Sequence, residues 1–267
     1  MKIVVFDLDE TMGYFIQFGI FWNCLGQYII ENKIGYILDQ PDFNMTLDLY
    51  PEFLRPHIID ILKYLKKKKE NKRCQKMMIY TNNQAPKSWC QYIITYLESK
   101  LDCKLIDHVI NAFKINGEVV ELCRTTHTKT YSDFIKCTQL PKHCKICFVD
   151  DIYHQEMTNK NVYYINIKPY IYDLEFSEIL NRFWNAGIRE KILTNDFEKD
   201  FYQKMTNYFK YINFNVIQKS TDEYDIDKIL SKQILVHLQK FFKRSPLTHT
   251  RNHKKIKTNE TLKNAKF

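Results

Sequence analysis

At 267 residues, with 45% hydrophobic and 27% charged residues, the chain has a globular composition and room for one α/β domain with additions. Only 6 Gly and 7 Pro stand against 18 Tyr and 18 Phe, which excludes a low-complexity chain, and no apolar run reaches the ~18 residues of a membrane span. The net charge is +9, but residues 243–267 hold eight Lys or Arg against one Glu, so +7 lies in this C-terminal tail and +2 in the body before it.

The first apolar run follows one lysine, which leaves no room for a cleaved signal; an intracellular location, cytoplasmic or nuclear, is expected. The 8 Cys are scattered, so reduced thiols, mostly in the core, are expected.

Ile3-Val4-Val5-Phe6 predicts a strand buried on both faces, ending in Asp7 and Asp9. Two carboxylates so close in a buried crevice persist where a cation or proton offsets their repulsion. Residues 12–23, with Gly13 and Gly19 among aromatics, read as a hairpin-like flap before a short helix over 25–31, and residues 40–49 read as loop. Ile58, Ile59, Leu62 and Leu65 predict a helix within 51–69 that closes in Lys66–Lys69, a solvated end favoured by the helix dipole.

A second strand over 76–80 ends at Thr81-Asn82-Asn83, and Pro86 opens a helix through Trp89, Ile93, Ile94 and Leu97. Runs over 109–115 and 119–122 flank Asn116-Gly117, a strong hairpin signal. Lys129 stands at the N-terminal edge of a helix beginning near Tyr131. Residues 145–149 form another buried strand ending in Asp150-Asp151, and 162–167 a fourth parallel strand. Helical spacing recurs over 176–184, 197–209 and 226–242, the last through Ile226, Ile229, Leu230, Leu238, Phe241 and Phe242. Cys144-x-x-Cys147 lacks the second pair of a zinc site, and Cys147 falls inside a strand.

The expected organisation is an α/β core over 1–175, a Rossmann-like parallel sheet flanked by helices. It carries a flap or minimal-cap insert at 13–50 and a hairpin insert at 109–124. A C-terminal helical extension over 176–242 packs on the core, and a basic tail over 243–267 is expected to be disordered. In such a sheet the strand ends share one edge, so Asp7, Asp9, Thr81, Lys129, Asp150 and Asp151 are expected to converge there. Several carboxylates, a lysine and a hydroxyl at one point suit Mg²⁺ and a phosphate.

Asp7-Leu8-Asp9-Glu10-Thr11, Thr81, Lys129 and Asp150-Asp151 resemble, in order, the four motifs of the haloacid dehalogenase superfamily. Within it, Phe6 to Thr11 followed by Leu54-Arg55-Pro56-His57 opening a helix resembles the phosphatases of the RNA polymerase II C-terminal domain. The resemblance covers about residues 1–170; the segment 13–50, the helical extension, and Asn82 and Asn83 in place of small residues depart from it. It implies a Mg²⁺-dependent phosphohydrolase working through an aspartyl-phosphate, with Asp7 as nucleophile and Asp9 as general acid and base. It implies Asp7, Asp9, Asp150 and Asp151 as the metal group, and Thr11, Thr81, Lys129 and Arg124 as the phosphate and substrate group; Asn82, next to Thr81, is expected with them although it departs from the family pattern. The implied substrate is a phosphoprotein carrying phosphoserine or phosphothreonine. The alternatives are a nucleic-acid end, a nucleotide or a small phosphorylated metabolite, with the basic tail guiding a nucleic acid, or a non-catalytic binding module on the same fold. No membrane partner is expected.

Overall fold

The computed structural model describes residues 1–193 and 198–243. Its elements begin with β1 (Lys2–Phe6), α1 (Ile16–Glu31), α2 (Gln40–Leu47), α3 (Ile58–Glu70), β2 (Lys76–Tyr80) and α4 (Lys87–Ser99). Then come β3 (His108–Ile110), β4 (Lys114–Ile115), β5 (Glu118–Val119), α5 (Tyr131–Thr138), β6 (Lys145–Asp150) and β7 (Val162–Asn166). The chain closes with α6 (Phe176–Trp184), α7 (Gly187–Ile192), α8 (Glu198–Ile212) and α9 (Thr221–Lys243).

Five strands form one parallel sheet in the order β3-β2-β1-β6-β7, with β1 at its centre. Both faces are covered, which is why the strands read as continuous apolar runs rather than alternating ones. Val4, Phe6, Met77, Ile79, Cys147 and Val149 face a large core built with α1–α4 and the C-terminal helices. Ile3, Val5, Met78, Tyr80, Ile146 and Phe148 face a smaller one closed by Phe134 of α5, Leu140 and Met157. The result is a lopsided three-layer sandwich.

The insert differs from its expected form. Residues 16–31 are one helix rather than a flap and a short helix, and they put Phe18, Phe21, Trp22, Leu25 and Tyr28 into the core. Gly19 sits inside that helix because Trp89 lies against it; a Cβ there would stand 3.1 Å from the indole. The expected loop at 40–49 holds α2, begun by a reciprocal cap: Asp42 N–H donates to Asp39 Oδ1 at 2.9 Å and Asp39 N–H to Asp42 Oδ2 at 3.1 Å. The insert is therefore core, not cap.

The helix expected within 51–69 begins only at Ile58, after Pro56 and a left-handed His57 (φ 62°) that breaks it from the short turn Pro51–Phe53. The run expected as one hairpin arm from 109 is split: His108–Ile110 joins the sheet as its edge strand, and only β4 and β5 pair as a hairpin. Asn116 (φ 51°) and Gly117 (φ 85°) make its two-residue turn. In α9 the buried face runs through Asp227, Ser231, Ile234, Leu238, Phe241 and Phe242, leaving Ile226 and Ile229 exposed. Asp227 turns inward because Lys219 binds its carboxylate there. The C-terminal helices pack their apolar faces into the large core, and Lys2 at the start of β1 donates to the carbonyls of Phe241 (2.8 Å) and Phe242 (3.0 Å).

The cysteine expectation needs one correction. Cys123 and Cys137 are joined as a disulfide, because the loop before α5 folds back along it and brings their Cα atoms to 4.9 Å. The other six, Cys24, Cys74, Cys90, Cys103, Cys144 and Cys147, are free thiols. No helix among the described residues is long and apolar enough to cross a membrane. The basic tail expected to be disordered lies, beyond Lys243, outside the described residues.

Candidate active site

In an open parallel sheet the crevice for a ligand opens at the carboxyl ends of the strands, where successive connections leave to opposite sides. Here that point lies at β1, whose neighbours β2 and β6 flank it. Asp7 leaves the end of β1 with its N–H on Val149 O (2.9 Å), and Asp150 ends β6 beside it. The next turn closes tightly: Met12 N–H reaches Leu8 O at 2.8 Å, and Glu10, at φ 56°, donates from its N–H to Gly13 O at 2.7 Å. Gly13 is required there, since a Cβ would stand 2.6 Å from Phe53 O.

Arg55 holds this turn from below. It is 1% exposed, and its guanidinium donates to the carbonyls of Thr11 (2.6 Å), Glu10 (2.5 Å) and Lys168 (2.8 Å). Burial lowers its pKa to about 10, so it keeps its charge at neutral pH. One cation thereby fixes three carbonyls from two segments of chain.

Lys129 is the electrostatic centre. It is 2% exposed, and its ammonium donates to Asp7 Oδ1 at 2.5 Å and Asp150 Oδ2 at 2.7 Å. Burial alone would neutralise it, but the two carboxylates outweigh burial and raise its pKa. A lysine has three N–H donors, so one remains beyond these two contacts. The acids stay in surplus. Burial raises the pKa of Asp7 and of Asp150 even against the attraction of Lys129. Asp9 is pushed up to about 6, first by burial and then by the charge of Asp7, with the Asn83 hydrogen bond working the other way.

Carboxylate oxygens of Asp7, Asp150 and Asp151 lie within 4.8 Å of one another. These three hard oxygen donors beside a single lysine form a donor set that fits a hard divalent cation such as Mg²⁺. Asp151 is set in place by Thr11, whose hydroxyl donates to Asp151 Oδ1 at 2.8 Å and accepts from Asp151 N–H at 3.1 Å.

The expected site residues thus separate by role. Asp7, Lys129, Asp150 and Asp151 converge as one cluster, and Asp9 joins it through its coupling to Asp7. Thr81 follows β2, fully buried, with its hydroxyl accepting from Asn83 N–H at 3.0 Å. Thr11 was expected among the phosphate contacts; here it is fully buried with its hydroxyl committed to Asp151, so it positions a carboxylate instead. Arg124 and Asn82, also expected to touch phosphate, are committed to each other and to main chain. Arg124 donates to Asn82 Oδ1 (2.8 Å), Asn111 O (2.8 Å), His127 O (2.9 Å) and Thr81 O (3.1 Å), a brace across the loops. The Cys123–Cys137 bond ties the segment carrying that brace to α5, directly after Lys129.

Two further residues join the site. Asn83 Nδ2 donates to Asp9 Oδ2 at 2.8 Å, while its own Oδ1 accepts from Ala85 N–H. Its sequence signal was its place two residues after Thr81, which expectation passed to Asn82. His154 Nε2 lies 3.7 Å from Asp150 Oδ2, and burial, then the charges of Lys129 and Arg124, lower its pKa to about 4, so it is neutral. Compared with known proteins, the chain matches no family model, no curated protein and no solved structure. The site therefore stands on its own geometry.

Proposed function

We propose that the protein is a Mg²⁺-dependent phosphohydrolase of the haloacid dehalogenase type, acting through an aspartyl-phosphate. The observation that carries this reading is Lys129 held between Asp7 and Asp150 at the carboxyl end of the central strand, with Asp151 completing a carboxylate triad. The order of the motifs, Asp7-x-Asp9-x-Thr11, Thr81, Lys129 and Asp150-Asp151, supports the same superfamily.

Asp7, Asp150 and Asp151 would hold the Mg²⁺ together with the main chain at Asp9; once bound, the ion supplies positive charge against the phosphoryl oxygens. Lys129 anchors Asp7 Oδ1, so Oδ2 is the proposed nucleophile. It bonds to phosphorus as the bond to the leaving oxygen breaks, and Asp9 gives that oxygen its proton. Asp9, now ionised, takes a proton from water as the water oxygen bonds to phosphorus and the acyl-phosphate P–O bond breaks, restoring the Asp7 carboxylate and releasing inorganic phosphate. A carboxyl with a pKa near 6 suits both transfers near neutral pH. In this reading the remaining Lys129 N–H and the Thr81 hydroxyl, whose proton no hydrogen bond among the described residues uses, would bind phosphoryl oxygens, the positioning role that dominates phosphoryl transfer.

The proposed substrate is a phosphoserine or phosphothreonine in a protein. Supporting it, the insert that would supply a lid is packed into the core as α1 and α2, which leaves the crevice to large substrates. Hydrolysis of an aryl phosphate in Mg²⁺ by the purified chain, abolished in Asp7→Asn, is the expected result. Activity that survives Asp7→Asn, or that ignores chelation of Mg²⁺, overturns the reading.

A further inference from the structure

At the opposite edge of the sheet, where strands begin, the charge reverses. Residues 63–76, spanning the end of α3 and the entry to β2, hold eight Lys or Arg and one acid, Glu70. The C-terminus of α9 reaches the same edge, since Lys2 binds the carbonyls of Phe241 and Phe242. Between the two helix ends lies a shallow groove of about 280 Å³ lined by Tyr64, Lys68, Arg73, Gln239, Phe242 and Lys243. Lys68 lies 4.8 Å from the Tyr64 ring centre and 5.8 Å from that of Phe242, so the groove mixes cations with aromatic faces.

Helix dipoles do not account for this accumulation. Two helix C-termini supply together about one elementary negative charge, and only within the last turn. Lys72 and Arg73 lie past the end of α3 at Glu70. Local acids do not account for it either. Asp107 pairs with Lys69 at 2.8 Å, and Lys66 caps the Leu101 carbonyl. Among the described residues no carboxylate pairs with Lys67, Lys68, Lys72, Arg73 or Lys243.

We infer that this groove and the lysine-rich end of α3 bind the phosphate backbone of a nucleic acid. The sign of the charge selects a polyanion, and a polymer with regularly spaced phosphates matches cations spread along a helix end and groove. The chain's own continuation is excluded as occupant: residues 244–267 carry seven more Lys or Arg and one Glu, and repel the groove. A lipid surface fits less well, because no large exposed apolar side chain stands on residues 63–76 or 239–243 to enter it. This inference does not rest on the phosphohydrolase reading, since it uses the opposite edge of the sheet.

The test is fluorescence anisotropy of the full chain with labelled single- and double-stranded oligonucleotides of mixed sequence across a salt series. Binding is expected, with log affinity falling linearly with log salt. The double variant Lys68→Gln, Arg73→Gln should weaken binding at least about fivefold near 0.1 M salt. It should also flatten the single-strand slope by about 1.4, the loss of two phosphate contacts. Lys67→Gln, Lys72→Gln, at exposed positions, should act in the same direction. An unchanged thermal midpoint shows that each variant is folded. No binding to either oligonucleotide overturns the inference. So does binding whose affinity and slope both pairs leave unchanged, which would assign it to residues 244–267 alone. Retention on phosphatidylserine vesicles without oligonucleotide binding overturns it in favour of a membrane surface.

Discussion

The two edges of the central sheet carry opposite solutions to the same electrostatic problem. At the carboxyl edge, three carboxylates cluster, two of them on one lysine, in a crevice where Asp7, Lys129 and Asp150 are almost wholly buried. At the amino edge, lysines and an arginine gather on exposed backbone around a shallow groove. In the first, low solvent access makes each charge expensive and each partner decisive. In the second, water screens the repulsion, so like charges accumulate at little cost to the fold. A buried surplus of charge therefore reads as chemistry, and an exposed one as affinity for something outside.

The contrast can be broken most severely at the proposed nucleophile. Asp7→Asn should lower turnover of an aryl phosphate in Mg²⁺ by at least about 10³-fold, measured at saturating substrate. Next comes the buried cation. Lys129→Met leaves Asp7 and Asp150 facing each other unpaired, and should cost about 3–5 kcal/mol in urea denaturation without Mg²⁺. The same change at Lys72, on the exposed edge, should stay within about 0.5 kcal/mol. If the two losses were alike, burial would not be what separates the edges.

A third effect joins pH and metal. Asp9 binds its proton more tightly folded (pKa about 6) than unfolded (3.8), so this stabilisation is complete below pH 3.8 and is lost as pH rises through 6. Asp7 and Asp150, also raised, add in the same direction. Mg²⁺ binds the ionised carboxylates, so the rise in thermal midpoint on adding it should be small at pH 5 and grow toward pH 7.5. A Mg²⁺ shift that shrinks over this range would contradict the carboxylate donor set. The smallest effect is expected from Asn83→Ala. Loss of its hydrogen bond raises the Asp9 pKa, which should move the corresponding limb of the kcat profile to higher pH and leave Mg²⁺ stabilisation in place.

The strands and their terminal acids were legible because local pattern determines them. Ile3–Phe6 and Lys145–Val149 are apolar on both faces, and parallel pairing brings Asp7 and Asp150 together from opposite ends of the domain. The insert was misread because Gly13 and Gly19 look like turn residues. Gly13 is indeed in a tight turn, but Gly19 makes room for Trp89, a tertiary reason invisible to local pattern. Phe18, Phe21, Trp22 and Leu25 already carried the helical spacing that should have outweighed it. The resemblance implies Arg124 as a substrate contact, yet four oxygens from three segments of chain occupy it. Which partner a long cationic side chain finds depends on where distant carbonyls fall. Asn83 was missed for a similar reason: its neighbour Asn82 has the same chemistry, and only the bend after Thr81 decides which amide reaches Asp9.

The reading turns on Asp7 becoming an acyl phosphate during turnover. Mixing the purified chain with an aryl phosphate in Mg²⁺, quenching in acid within the first turnovers and mapping peptides by mass spectrometry tests it directly. The account predicts one added phosphoryl group on the peptide containing Asp7, absent from Asp7→Asn and accumulating when Asp9→Asn slows its hydrolysis. Phosphate release with no modification of that peptide in wild type or in Asp9→Asn, or with the label on another residue, would contradict it.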